Sequence, residues 1–237
     1  MFQDTNPVFE FRGPFGIPVQ IGGSIFLLLA FFAYTGSGDI AWTAAFVVML
    51  MASIILHEMG HAWACLVQGV PVRRVMLYGG GGFCERARSA TAPQQEVIVA
   101  MGPIVNLVLW ALASLASDAL WTNVFANASA YTDPTLILSS PQARLAEYLG
   151  LFASINGFLA IFNLLPVQPL DGGKLLHLLM LRLAPQHLAM TITGGIGLVL
   201  SILWIPGMLI AFGMGWWLLF FIPSIPLHYA MLRGRLA

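Results

Sequence analysis

Residues Trp42–Val67 read WTAAFVVMLMASIILHEMGHAWACLV. A membrane span takes about 20 apolar residues, and this run is long enough. It nevertheless carries His57, Glu58 and His61 in its C-terminal half. On an α-helix, positions four apart are offset by about 40° and one turn of rise, so two imidazoles can meet one ion from the same face. Glu58 then stands beside them, placed to accept a proton from a metal-activated water rather than to ligate. Single histidines are common in protein cores. Two His and a Glu in a lipid-embedded helix, however, are costly unless something binds them. A metal site is the reading that accounts for all three.

The rest of the chain agrees with a membrane setting. Hydrophobic residues make up 59% of the 237 positions and charged residues 8%, with a mean hydropathy of +0.85. A water-soluble domain cannot cover its surface with so little charge, whereas in lipid only loops and interior sites need polarity. The formal net charge is zero, and no basic cluster marks a nucleic-acid partner. The two cysteines, Cys65 and Cys84, have no spacing that suggests a disulfide framework.

Hydropathy predicts an all-α polytopic membrane protein of about six transmembrane helices, in one domain covering 1–237. The spans are read at 17–34, 42–67, 93–116, 147–165 with a continuation to 183 after a break, 190–205 and 207–222. The first ends at the Thr35-Gly36-Ser37-Gly38 turn, and without a basic region before it, it is retained rather than cleaved as a signal peptide. The fifth turns at Pro206-Gly207 into the sixth, where Trp216 and Trp217 offer interfacial anchors. A short β-strand or re-entrant element follows the second span, where Val72, Val75, Leu77 and Tyr78 precede four consecutive glycines.

Basic residues resist translocation and so report orientation. With a cytoplasmic N-terminus, Arg12, Arg73, Arg74, Arg86, Arg88, Lys174, Arg182, Arg233 and Arg235 lie on one side and only Arg144 on the other. The 68–92 loop and the 166–189 region are therefore expected to face the cytoplasm, with both termini. The opposite stretch, 117–146, is too short for an ordinary domain, so any adaptor that selects substrate would be a separate protein.

Two imidazoles do not complete a zinc site, which needs a third protein ligand and an open fourth position. Cys65 lies eight residues after His57, about 12 Å of rise and about 80° of rotation away, and reads as a small buried hydrophobe. Asp171 is the better candidate. It sits in Asn163-Leu164-Leu165-Pro166-Val167-Gln168-Pro169-Leu170-Asp171-Gly172-Gly173, where two prolines break the helix. Irregular backbone at membrane depth belongs where it is buried in protein or lines a wet cavity. The competing reading of Asp171 is a helix N-cap. His177 follows by six residues, about 240° around a helix, and is expected to point away as a packing histidine.

These residues resemble the site-2 protease family of intramembrane zinc metalloproteases. The family's H-E-x-x-H motif is matched by His57, Glu58 and His61, its N-x-x-P-x-x-x-x-D-G motif by Asn163, Pro166, Asp171 and Gly172, and its G-P-x-x-N element by Gly102, Pro103 and Asn106. The match covers roughly 42–183, the expected catalytic core. Neither a PDZ-like insertion nor a nucleotide-sensing CBS domain is expected within this compact chain. Gln168 stands where a proline is frequent in relatives. The resemblance implies one Zn²⁺ per chain held by His57, His61 and Asp171, Glu58 as catalytic base and acid, a cytoplasm-facing site, and a membrane-spanning protein as substrate; the expected location is a multi-pass protein of the cell's inner (plasma) membrane if the source is bacterial.

Asn163 is a candidate hydrogen-bond donor to the oxyanion, with an interhelical bond the equal alternative. Asn106 is a weaker candidate and reads better as structural. Gly80 and Gly81, in the pliable turn after the strand, are candidates for a substrate-binding edge; a passive re-entrant hairpin is as good a reading. A membrane metal-ion transporter or a noncatalytic metal-binding scaffold are the rival functions.

Overall fold

In the computed structural model, residues 7–35, 39–127, 134–213 and 221–235 are described. Two strands open the chain, β1 (Pro7–Arg12) and β2 (Pro18–Gly22), followed by α1 (Ile25–Thr35) and α2 (Ile40–Val67). A hairpin of β3 (Val72–Tyr78) and β4 (Gly81–Arg86) leads to α3 (Ala92–Ala126), α4 (Pro134–Leu138), α5 (Pro141–Asn163), α6 (Asp171–Leu183), α7 (Gln186–Gly213) and α8 (Ile225–Leu232).

Four of these helices, α2, α3, α5 and most of α7, are long and apolar enough to cross a membrane. Their ends are set locally. Asp39 caps α2, its carboxylate accepting from Trp42 N–H at 3.1 Å. Thr91 and Gln94 form a reciprocal capping box at the start of α3, and Ser140 caps α5 ahead of Pro141. α3 packs against both α2 and α5, which makes it the spine on which the site is assembled.

The four strands form one sheet in the order β1-β2-β3-β4, with β2 and β3 parallel and the two outer pairs antiparallel. Ile17, Val19, Val75 and Leu77 bury against Met59 and Ala62 of α2. The sheet thus lies beside the helix at the level of His57 and His61.

Several expectations need correction. The segment 17–34 is not one helical span: its first part is β2, and α1 has only 11 residues. A helix of that length rises about 16 Å, roughly half the hydrocarbon thickness. Hydropathy averages over a window and cannot see that Pro18, Gly22 and Gly23 divide it. The sheet, with its N-terminal pair, also makes the fold less purely helical than read.

The expected turn at Pro206-Gly207 is instead interior to α7. In lipid no water takes up backbone groups released by a break, so a Pro-Gly pair is tolerated within a helix. Six spans are therefore not found among the described residues; of the segment expected at 207–222, residues 207–213 belong to α7, and 214–220, with Trp216 and Trp217, lie outside the described residues. The third span is longer than read, and the stretch 117–146 is largely helical where described.

Candidate metal centre

His57 and His61 project from one face of α2, and Asp171 opens α6 after the proline-broken loop. All three are buried. His57 Nε2 lies 3.2 Å and His61 Nε2 3.1 Å from Asp171 Oδ2, and the two Nε2 atoms are 3.1 Å apart. Asp171 is not an N-cap: Leu170 occupies that position, without a side-chain cap bond.

The outer nitrogens decide what the inner ones can do. His61 Nδ1 meets the Ile98 carbonyl at 2.7 Å, so it must donate. His57 Nδ1 meets Asn106 Oδ1 at 2.6 Å, while Asn106 Nδ2 donates to Asn156 Oδ1 at 2.7 Å. With that amide orientation, His57 Nδ1 also donates. Both Nε2 atoms are then lone-pair donors, and they converge with a carboxylate oxygen. Three acceptors at such distances repel unless a cation joins them; a shared proton bridges only one pair.

A zinc ion with ligands at about 2.0–2.1 Å needs donor atoms about 3.3 Å apart in a tetrahedron, close to the spacing found. Space for it is kept by Gly102 on α3. A Cβ there would lie 2.3 Å from His61 Nε2 and 2.7 Å from His57 Nε2. The residues present therefore fit a metal with two nitrogen ligands, one oxygen ligand and an open position.

Behind His57 runs a buried chain. Asn156 Nδ2 donates to Ser53 Oγ at 2.9 Å, and Ser53 donates in turn to the Met49 carbonyl at 2.7 Å. Asn106 and Asn156 are both 0% exposed. Asn106 has its oxygen on His57 and its nitrogen on Asn156, an arrangement that orients an imidazole and leaves nothing for an oxyanion. Asn156, Ser53 and the Ile98 carbonyl were not anticipated. No local sequence pattern marks them, because each acts on a residue far away along the chain.

Lys174 was also missed. Its Nζ lies 3.0 Å from Asp171 Oδ1, so the carboxylate turns one oxygen to the histidines and the other to an ammonium. Asn163 donates to the Leu159 carbonyl of its own helix at 2.9 Å. His177 faces Thr193 Oγ1 at 3.3 Å, away from the cluster, and burial lowers its pKa.

Glu58 is buried but makes no hydrogen bond among the described residues. It faces the hairpin: a Cβ on Gly82 would lie 2.6 Å from its Cγ. Gly79 and Gly80 form the hairpin turn, with Gly79 N–H on Ser24 Oγ at 2.8 Å, and Gly81 opens the outer strand β4. Tyr78 has its pKa raised by burial and then by the Glu58 charge. Cys65 and Cys84 are free thiols, and the neighbouring Cys65 thiol, with burial, pushes the Cys84 pKa up. Neither belongs to the metal cluster.

Peptidase family M50 matches residues 45–203, well over half of the 237. The chain belongs to that family. It is 30% identical over 175 residues to a putative zinc metalloprotease of Synechocystis, covering 68% of this chain and 41% of the relative. A zinc metalloprotease of Methanocaldococcus jannaschii is 24% identical over 164 residues, covering 68% and 42%. The chain thus spans less than half the length of these relatives. The structure of a site-2 protease from Methanocaldococcus jannaschii superposes with a TM-score of 0.60 at 18% identity, covering 95% of this chain and 92% of that one. At that identity the likeness concerns the fold alone. Together with the four apolar helices, the family makes this a multi-pass membrane protein.

Proposed function

We propose that the chain is an intramembrane zinc metalloendopeptidase of the H-E-x-x-H type, cutting peptide bonds within or near the transmembrane segments of other membrane proteins. The observation that carries this reading is the convergence of two proton-free imidazole nitrogens and one carboxylate oxygen beside a buried glutamate that makes no hydrogen bond among the described residues. His57, His61 and Asp171 would hold the zinc. When bound, zinc makes water nucleophilic near neutral pH and polarises a carbonyl.

The chain's own residues do the rest. Glu58 takes the proton from the attacking water and returns it to the leaving amine; no hydrogen bond among the described residues holds its carboxylate back. Asn106 keeps the His57 ring turned with Nε2 inward, and Lys174 holds the outward oxygen of Asp171. Asn163 would offer its second amide hydrogen to the developing oxyanion.

A helical substrate shields its carbonyls and must be unwound locally. β4 is an edge of the sheet and begins beside Glu58, so Gly80 and Gly81 would let an unwound segment add along it. Proline at both positions should abolish cleavage and leave zinc content unchanged. The distribution of basic residues supports a cytoplasm-facing site with both termini on that side, in the inner membrane if the source is bacterial. A separate adaptor protein would select substrates.

A transporter would need ligands spaced along the bilayer normal, and the described residues hold one cluster. Glu58→Gln discriminates between the readings. In purified protein it should keep zinc and lose cleavage of a single-span substrate by about 10²–10⁴-fold. Cleavage at the wild-type rate would refute the proposal.

A further inference from the structure

His228 lies on α8, beyond the residues that match the family. It is 0% exposed and takes no part in the chemistry above. Its Nδ1 meets the Ser224 carbonyl at 2.8 Å and Ser201 Oγ at 3.2 Å. Its Nε2 accepts the backbone N–H of Gln168 at 3.1 Å. An acceptor at Nε2 puts the ring proton on Nδ1, where the Ser224 carbonyl receives it. The ring sits in a notch of α7: a Cβ on Gly197 would lie 2.0 Å from His228 Cδ2.

Gln168 belongs to the loop that delivers Asp171. Within that loop, Val167 N–H donates to the Leu165 carbonyl at 2.7 Å and Leu170 N–H to the Val167 carbonyl at 2.9 Å. α6 starts tightly against it, since a Cβ on Gly172 would lie 2.1 Å from the Leu164 oxygen. The loop and the first turn of α6 therefore move as one piece, and the His228 bond ties that piece to α7 and α8. A proline at position 168 would carry no N–H to give.

We infer that His228 is a positioning residue for the metal centre: through the Gln168 amide it fixes the loop that sets the Asp171 carboxylate opposite the two imidazoles. The inference rests on Asp171 being a metal ligand. A buried hydrogen-bond acceptor is required at the Nε2 position, and not merely a side chain of the right bulk.

The test is titration of metal-free, detergent-purified full chain with Zn²⁺ against a chromophoric chelator, with elution and thermal unfolding of the metal-free form followed in parallel. His228→Leu should weaken zinc binding about tenfold, as loss of an outer support does, while the metal-free form elutes as wild type. His228→Gln, which keeps an acceptor, should stay within about threefold of wild type. If His228→Leu does not accumulate as folded protein, His228→Asn takes its place: it can reach the Ser224 side but not Gln168, and the same weakening is expected. Wild-type affinity in the variant lacking the acceptor, or equal weakening in it and in His228→Gln, would overturn the inference. Asp171→Ala in the same titration separates the two readings. Unaltered binding there would refute the ligand assignment, whereas lost binding there with unaltered His228 variants would refute only the clamp.

Discussion

The two halves of the metal cluster are held in different ways. His57 and His61 ride on the regular repeat of α2, and each outer nitrogen is fixed by α3, through Asn106 and the Ile98 carbonyl. Asp171 instead arrives from a broken loop, fixed by Lys174 on one carboxylate oxygen, while the loop itself is held at the Gln168 N–H by His228 of α8. A helix-borne pair keeps its geometry because dozens of backbone bonds share the strain. A loop-borne ligand keeps its place only if particular neighbours hold it.

The comparison is broken most severely by Asp171→Ala. It should remove stoichiometric zinc and all cleavage while the helical content by circular dichroism stays that of wild type, because α2 does not depend on it. Next comes Gly102→Ala. Its methyl would enter the space against both Nε2 atoms, so zinc measured by atomic absorption should fall well below one per chain. The same protein should still extract and elute as wild type.

Sharper still is a pair of substitutions on the histidine side. Asn106→Ala should cost about 10–100-fold in zinc affinity by freeing the His57 ring, and Asn156→Ala, one bond further out, should cost less. Equal losses would mean that the chain acts as one unit rather than by steps away from the metal.

What the sequence made legible follows the same division. The spacing of His57 and His61 survives folding because helix periodicity is local, and the second span, read at 42–67, is the helix Ile40–Val67. Asp171 was inferred from the difficulty of leaving a carboxylate in lipid, which is a chemical argument that needs no coordinates. Hydropathy failed where strands are apolar: Pro18–Gly22 and Ile25–Thr35 look alike to a window, and only sheet pairing with β3 tells them apart. Asn156, Ser53 and His228 were illegible because each acts through a residue distant in sequence and matches no local pattern.

The smallest expected effect concerns the sheet. Arg74 Nε lies 2.6 Å from Glu85 Oε2, and that hydrogen bond holds the half-buried Glu85 carboxyl below its usual pKa. A lowered folded-state pKa means the pair stabilises above the ordinary carboxylate range and its contribution is lost as pH falls through the folded value. Arg74→Gln should therefore shift the thermal midpoint slightly downward at neutral pH and by less in strong acid, where only the Arg74 bond to Gln20 Oε1 is lost. Zinc affinity at neutral pH should be that of wild type, since the pair touches neither half of the cluster.

The most direct measurement is X-ray absorption at the zinc edge on purified wild-type protein. It should show one zinc per chain in a shell of nitrogen and oxygen at about 2.0–2.1 Å, with outer scattering from two imidazoles. Asp171→Ala should lose that spectrum. Sulfur at about 2.3 Å, implicating Cys65 or Cys84, or a wild-type protein without tightly bound zinc, would contradict the assignment.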